Sequence, residues 1–272
     1  MHSILPRLFL ASFVFACACL GQDQGPRFVP LFDGKSLKGW VSARTLAGEE
    51  TVFSVDAKKQ EIQVYADCKA GSKQRTDCLI SEKEFSHYIL KLEYKWLEKR
   101  FAPRTKYDRD AGLLFHVHGD LKKIWPLCLE MQIGESPGDK KPGRGAKGRF
   151  HSGDLFVLGK DLRAQTKRKD GHFDPEGEPE TGKSCPTKLG SERPKGEWNT
   201  MEIRVQGAAK ATFVLNGKVV HEISKITQKN EKGQTVPLAK GRIGLQAEWA
   251  ELRYRNVRIK ELKPNGTATL GG

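Results

Sequence analysis

Two stretches of the chain, 113–118 and 127–133, alternate between apolar and polar residues and carry the side chains best suited to chemistry. Successive side chains of a β-strand point to opposite faces. If both strands lie in one sheet with their apolar sides on a common core, the polar side chains share the other face. Those side chains are His116, His118, Glu130 and Gln132.

Two imidazoles beside a carboxylate can transfer protons near neutral pH or can hold a divalent metal ion. We therefore predict acid–base chemistry on this face, with His116 or His118 acting together with Glu130. A divalent metal bound by His116, His118 and Glu130 is a second possibility, and no other cofactor is predicted. The ordinary interpretation, in which both histidines are hydrogen-bonded sheet residues, stays open at this point.

The elements that must position these residues are short strands. Residues 87–97 alternate strictly, and residues 211–215 and 218–223 flank Asn216-Gly217, a dipeptide that favours a two-residue hairpin turn. Residues 241–246 and 252–262 read as further strands, and no helix longer than two turns is predicted. Residues 161–196 are polar and rich in Pro and Gly, which predicts a long loop. The pattern is typical of an all-β sandwich or barrel.

The N-terminus has the features of an export signal. Arg7 precedes an apolar run over residues 8–18 that ends among small residues, which is the pattern of a secretory signal peptide. We predict a signal peptide over 1–21, one domain over 26–263 and a disordered tail over 264–272. The mature protein is expected to be exported to the periplasm or outside the cell, with a lipid-anchored form as the less favoured alternative. No later run is long enough for a membrane helix.

The formal net charge of +14 permits binding to acidic polymers. The lysines are scattered rather than clustered, so we interpret the charge as general solubility and expect no nucleic-acid partner. Four cysteines follow the predicted signal peptide. Because export permits disulfides, an even number of cysteines fits two of them: Cys68–Cys78 is the obvious local pair, which would leave Cys128 with Cys185, and the connectivity stays open. The oligomeric state is not predicted.

Several short motifs together identify a family. They are residues 31–40 (LFDGKSLKGW), residues 196–199 (GEWN) running on to 215–218 (LNGK), and residues 244–246 (GLQ) followed by 255–259 (RNVRI). Between them lie 123–126 (KIWP), 130–132 (EMQ) and Gly153-Asp154. The chain resembles the exported bacterial 3-keto-disaccharide hydrolases from about Phe28 to Leu262. This resemblance implies a concanavalin A-like jelly-roll β-sandwich, related in shape to laminarinases, and action on glycosides, notably 3-keto sugars.

The resemblance carries functional roles onto Glu130, Gln132, the two histidines, Asp154 and Gln246. Glu135 completes a Glu-x-Gln-x-x-Glu spacing similar to that of the laminarinase carboxylates, so it is a candidate catalytic partner of Glu130. His151 and Asp154 flank a turn that could reach the same cleft. Residues 247–251 (AEWAE) depart from the Asp-His-Gly-like segment that the family often has there. The predicted sugar-binding side chains are Trp125, Gln246, Glu248 and Trp249.

Three functions remain open from the sequence. A 3-keto sugar has an acidified C–H bond next to the ketone, so that a base can start cleavage by elimination, and we predict a glycoside-cleaving enzyme with His/Glu acid–base chemistry. The alternative is a non-catalytic carbohydrate-binding jelly-roll module, which needs an aromatic platform but no titrating cluster. An adhesion domain that uses the basic segments 140–149 and 163–169 is the third.

Overall fold

The computed structural model describes residues 27–135, 151–188 and 191–264. The predicted signal peptide, the basic segment 140–149 and residues 265–272 of the predicted tail lie outside the described residues. The only helix described, α1, spans Ala43–Leu46. The strands, in chain order, are β1 Val29–Pro30, β2 Trp40–Ser42, β3 Phe53–Asp56, β4 Glu61–Val64, β5 Asp77–Ser81, β6 His87–Arg100, β7 Asp110–His118, β8 Leu127–Gly134, β9 Leu155–Leu158, β10 Arg163–Lys169, β11 His172–Phe173, β12 Glu178–Gly182, β13 Ser184–Cys185, β14 Asn199–Gln206, β15 Lys210–Leu215, β16 Lys218–Lys229, β17 Thr235–Pro237, β18 Arg242–Ala247 and β19 Ala250–Glu261.

The strands form two antiparallel sheets. The larger sheet has twelve strands with the main order β11-β10-β16-β15-β14-β6-β19-β4-β3, while β1, β12 and β17 pair at its sides. The smaller sheet has seven strands in the order β13-β9-β8-β7-β18-β5-β2. Some neighbours are consecutive in sequence, such as β14, β15 and β16 or β7, β8 and β9, whereas others, such as β6 and β19, come from distant parts of the chain. The predicted concanavalin A-like jelly-roll β-sandwich is confirmed.

The main hydrophobic core lies between the two sheets, and strict alternation builds it. Every second residue of β6 points inward and is buried, whereas the residues between them point to solvent. Burying one such side chain fully contributes about 1.5–3 kcal/mol, so a central strand of this length is a large part of the core. The buried residues of β6 are Tyr88, Leu90, Leu92, Tyr94 and Trp96.

The predicted hairpin is confirmed: β15 and β16 pair, and Asn216 and Gly217 between them both have positive φ angles, 49° and 82°. The predicted long loop over 161–196 is wrong in part, because β10, β11, β12 and β13 lie within it. Strand β10 pairs with β16 and with β12, so backbone pairing to a neighbour gives order to a segment that has no apolar periodicity of its own.

The predicted disulfides are not formed, because all four cysteines of the described residues are free. Cys185 lies in the main core, whereas Cys128 belongs to a small apolar cluster on the opposite face of the seven-stranded sheet. Cys78 belongs to that same small cluster, and Cys68 lies at the edge of the main core. Each predicted pair is therefore separated by a sheet. Across the described residues, no helix is long and apolar enough to cross a membrane.

The seven-stranded sheet positions the candidate site on the face turned away from the main core, which we call the cleft face. Strands β7 and β8 pair so that Leu114 lies opposite Glu130 and Gly112 opposite Gln132. Strand β9 continues the sheet with Phe156 opposite Glu130. Glu130 and Gln132 are two residues apart on β8 and therefore lie on the same face, the cleft face, as the alternation of β8 predicts. Because directly paired residues of antiparallel strands point to the same face, Leu114, Gly112 and Phe156 lie on it too.

Candidate active site

Strand β7 does not keep its alternation to the end, and this removes one predicted site residue. The pairing with β8 shifts between Phe115 and His118, and His116 has a φ of 52°. This is a β-bulge, which turns the bulged residue to the other face. Val117 accordingly joins the small cluster on the cleft face, and His116 points toward the larger sheet. The prediction that His116 shares a face with Glu130 is wrong.

His116 is a structural residue of the interior. Its Nε2–H donates a hydrogen bond of 3.1 Å to the carbonyl of Gly207, and its ring packs 5.3 Å from that of Phe115. Burial lowers the pKa of His116 to about 4. His118, in turn, donates from Nδ1 to the carbonyl of His116 at 2.8 Å and does not line the cleft. No group of three or more His, Cys, Asp or Glu side chains within the described ranges can hold a metal ion. The metal set predicted from His116, His118 and Glu130 is therefore not assembled.

A small open cleft lies over β7, β8 and β9 and has a volume of about 230 Å³. Phe156 and Leu158 form an apolar wall, and the rest of the lining is polar or aromatic. The polar content is unusual because three of the residues are acids and one is a base. The complete lining comprises Arg104, Asp110, Trp125, Glu130, Gln132, Phe156, Leu158 and Glu248.

Arg104 joins two of the three acids. Its Nη1 donates to Oδ2 of Asp110 at 2.6 Å and to Oε2 of Glu248 at 3.2 Å. The guanidinium group also lies 4.6 Å from the ring centroid of Trp249, in the geometry of a cation–π contact. Gln132 donates from Nε2 to the other oxygen of Asp110. Asp110 is thus held by a charge on one side and by an amide on the other.

Glu130 has no such support. No hydrogen bond or ion pair reaches its carboxyl group from any residue of the described part of the chain, and the side chain is buried. Burial raises the pKa of Glu130 well above its ordinary value, and the negative charges of Glu248 and Asp110 raise it further. Both effects favour the protonated form of Glu130.

The pKa values of the other two acids are also raised. Burial and the charge of Glu248 raise the pKa of Asp110 to about 7, against the opposing effect of Arg104. Burial raises the pKa of Glu248, although the hydrogen bond from Trp125 and the charge of Arg104 oppose it. Strongly shifted carboxyl groups that share one cleft are typical of catalytic sites.

Comparison with known proteins identifies the family of the chain. Residues 27–260 match the family of 3-keto-alpha-glucoside-1,2-lyase-like domains. The chain belongs to this family. A comparison with curated proteins gives no match.

Two solved structures from Parabacteroides distasonis ATCC 8503, both provisionally described as glycosyl hydrolases, share the fold of this 3-keto-alpha-glucoside-1,2-lyase-like chain. The first is 20% identical, with 87% of this chain and 100% of that chain covered and a TM-score of 0.53. The second is 17% identical, with 87% and 94% covered and a TM-score of 0.53. At these identities the likeness shows the fold alone.

Within this lyase-like domain, the two predicted tryptophans have different places. Trp125 is 48% exposed at the rim of the cleft, and its Nε1–H donates to Oε1 of Glu248 at 3.1 Å. Its ring is therefore both oriented and open to solvent. Trp249 instead donates from Nε1 to the carbonyl of Gln74 at 2.8 Å, packs at the edge of the core and supports Arg104.

Gln246 lies beneath the cleft rather than on its surface. The side chain is 1% exposed, and both its amide oxygen and its amide nitrogen lack hydrogen-bond partners in the described structure. Gly112 creates the space for this arrangement. A Cβ atom at position 112 would lie 2.5 Å from Oε1 of Gln246 and would collide with Oε1 of Glu130.

His151 and Asp154 do not line the cleft. Oδ2 of Asp154 accepts the backbone N–H of His151 at 2.9 Å, and Oδ1 accepts that of Thr187 at 2.7 Å. Asp154 therefore closes the turn before β9 and ties it to the segment after β13. Burial raises the pKa of Asp154 to about 6, in spite of these two hydrogen bonds.

Glu135 is not free to assist Glu130. It forms a buried ion pair with Arg109, a second ion pair of 2.6 Å with Arg100, and a 2.9 Å hydrogen bond with the backbone N–H of Arg109. The predicted catalytic pair of Glu130 and Glu135 is thus contradicted by the position of Glu135, whose partners anchor the end of β8 to β6 and β7.

Four cleft residues are absent from the sequence-based set: the apolar Phe156 and Leu158, and the charged Asp110 and Arg104. Asp110 had a usable signal, because stepping back by two from Leu114 along β7 passes Gly112 and reaches Asp110 on the same face. Arg104 had none, since it lies in an irregular basic loop between β6 and β7. Only the folded chain brings that loop over the strand ends.

Proposed function

We propose that the protein is a glycoside-cleaving enzyme whose substrates carry a ketone at C3 of the sugar. The observation that supports this proposal is the convergence of Asp110, Glu130 and Glu248, all with raised pKa values, in one open cleft around Arg104. Family membership favours a carbohydrate substrate. The volume of the cleft lies below the ~300–1,000 Å³ of typical ligand pockets, which suits one sugar ring with the leaving group outside.

The ketone defines the chemistry that the cleft must supply. It acidifies the C–H bond at C2, so a base can remove that proton while the C1–C2 double bond forms. The C1–O glycosidic bond then breaks, and the leaving oxygen takes a proton from an acid. Water adds across the double bond afterwards, with its hydroxyl at C1 and its proton at C2. One base and one acid are required.

The three carboxyl groups divide naturally between these roles. Glu130, whose protonated form is favoured by burial and by the neighbouring acids, is the acid in our proposal and protonates the leaving oxygen. Asp110 and Glu248 share Arg104, which favours the ionised form of one of them, and that carboxylate is the base. Two acids with different environments in one cleft are the usual way in which enzymes separate these roles. Gln132 keeps Asp110 oriented.

The exposed indole of Trp125 fits the sugar or leaving group at the rim, because aromatic faces pack against the C–H surface of sugars. That same feature supports a second candidate function, a carbohydrate-binding module without turnover. A sugar-binding face does not need three buried carboxyl groups with raised pKa values, since each of them lowers the free energy of unfolding at neutral pH. We therefore favour the enzyme.

Turnover of paired substrates tests the proposal. A panel of 3-keto-glucosides and their ordinary glucoside counterparts would be incubated with the wild type, Glu130→Gln and Asp110→Asn. Glu202→Gln is the matched control, because Glu202 lies on the larger sheet, paired with Lys91 at 2.7 Å. We expect turnover of keto substrates by the wild type and the control, with losses of about 10²–10⁴-fold in the two cleft variants.

Two results would contradict the proposal. If the folded wild type binds the sugars but turns over none of them, the binding module is the better account. If Glu130→Gln and Asp110→Asn retain full activity, the chemistry lies elsewhere. We also propose export of the protein, from the signal-like residues 1–21, and detection of the mature chain outside the cytoplasm with a new N-terminus near residue 22 tests that.

A further inference from the structure

The amide of Gln246 is an unexplained feature of the site. A buried amide with neither its oxygen nor its nitrogen paired costs folding free energy, so such groups usually have a role. The amide lies on strand β18, where the backbone of Gln246 pairs with Cys78 of β5. It does not line the cleft, and a direct contact with a sugar is therefore not its function.

The carboxyl group of Glu130 lies close to this amide, and it also has no partner among the described residues. Both side chains reach the position above Gly112 at which any other residue would place its Cβ atom. Because Gly112 has no side chain, an unpaired carboxyl group and an unpaired amide can occupy the same space. Either group alone would be a defect of the fold.

Within the described residues, no side chain donates a hydrogen bond to Glu130. The charges that raise its pKa come from Glu248 and Asp110, and both of those are acids. Burial raises the pKa of the thiols of Cys78 and Cys128 and of the hydroxyl of Tyr254, and the charge of Glu130 adds to each of these shifts. The hydroxyl of Tyr254 donates instead to the carbonyl of Gln246 at 2.9 Å. Arg104, the cation of the cleft, is taken up by Asp110 and Glu248.

We propose that Gln246 is the positioning residue of Glu130 and that its amide serves the carboxyl group in both protonation states. The amide oxygen accepts the proton of the neutral carboxyl group. After a half-turn of the amide, its N–H donates to the carboxylate that remains when the proton has gone to the leaving group. This inference rests on the proposed function for its purpose, because only a group that gains and loses a proton needs both partners.

An amide is the side chain suited to this task. It carries two donors and an acceptor on one planar group. A carboxyl group in its place would add a second titrating group, and a shorter hydroxyl side chain would not reach Glu130. The ionised form benefits more, since a hydrogen bond to a charge is about twice as strong as one between neutral groups. Removing the amide therefore raises the pKa of Glu130.

The test compares Gln246→Met, which keeps the length and loses the hydrogen bonds, with Gln63→Met on β4 of the other sheet. We expect Gln246→Met to lower turnover of a 3-keto-glucoside at least about tenfold and to move the pH limb that depends on Glu130 upward by roughly one pH unit. Gln63→Met should change neither quantity. An equal loss at every pH, without a shift of the limb, would overturn the proposal.

Infrared difference spectroscopy gives a readout that does not need activity. The carbonyl band of the protonated Glu130 is the band that disappears in Glu130→Gln, and we expect Gln246→Met to change its frequency and to move its titration to higher pH. An unchanged band overturns the inference even if the enzyme works. If the wild type turns over nothing but the band does shift, the proposed function fails while the pairing of Gln246 with Glu130 stands.

Discussion

Replacing the ionisable carboxyl group of Glu130 by an amide, in Glu130→Gln, should make the protein more stable at neutral pH and should remove most of its activity. Burial raises the pKa of Glu130 in the folded state well above its ordinary value, whereas the unfolded chain releases that proton around the ordinary pKa of 4.5. Stability is therefore lost as the pH rises above that value, with a slope of at most about 1.4 kcal/mol per pH unit. Glu130→Gln has no proton to release, so this loss disappears.

The size of the effect follows from the pH interval. Between pH 5.5 and 7.5 the slope gives a relative gain of at most about 2.7 kcal/mol in the free energy of unfolding for Glu130→Gln over the wild type. Urea unfolding at both pH values measures it. The carboxyl group of Glu130 has no ion-pair partner in the described structure, so the substitution removes no ion pair that would hide the gain.

Glu202→Gln is the control with the opposite sign. Burial opposes ionisation of Glu202, but hydrogen bonds from Lys91 and Arg204 outweigh it and lower its pKa. Its neutral variant should lose stability by the same amount at both pH values. If the difference in unfolding free energy between Glu130→Gln and the wild type does not change between pH 5.5 and 7.5, the buried, unpaired state of Glu130 is refuted.

Other substitutions test neighbouring parts of the account. Gly112→Ala should cost about 1–3 kcal/mol of stability and most of the activity, because its methyl group collides with the side chains of Glu130 and Gln246. Gly182→Ala is the control, because the closest neighbour of its methyl group is the end of a flexible side chain. Equal kcat/KM values for the two variants would contradict the packing argument. Trp125→Ala should raise KM with little change in Tm, whereas Trp198→Ala on the other sheet should leave KM unchanged. Glu135→Gln should lower the free energy of unfolding, measured in urea, by about 3–5 kcal/mol, since a buried arginine loses its partner. A stable variant with a changed pH profile of activity would instead indicate that Glu135 takes part in the reaction.

The sequence predicts the sheet and half of the cleft, for a definite physical reason. Alternation with period two is read directly from β8, so Glu130 and Gln132 are placed correctly on the face opposite the core. The family motifs add the jelly roll, which the two sheets confirm. These features depend on local pattern, which the amino-acid order contains.

The remaining errors come from features that local pattern does not contain. The bulge at His116 shifts β7 by one residue, and no glycine marks it, because a histidine adopts the positive φ angle. Glu135 continues the spacing of an active-site motif, yet Arg109 and Arg100 hold it in an ion-pair network. Arg104 reaches the cleft from a loop whose path depends on tertiary contacts with Trp249.

The central claim is that the carboxyl cleft cleaves 3-keto-glycosides by elimination, and the fate of the C2 proton tests it most directly. A 3-keto-glucoside would be turned over in D₂O, and the early product examined by NMR and mass spectrometry, with an enzyme-free sample correcting for spontaneous exchange. Elimination followed by addition of water predicts one deuterium at C2 of each product molecule, formed by the wild type and by Glu202→Gln but not by Glu130→Gln. Product that retains its original hydrogen at C2 would contradict the account, because it requires direct displacement at C1 without removal of that proton.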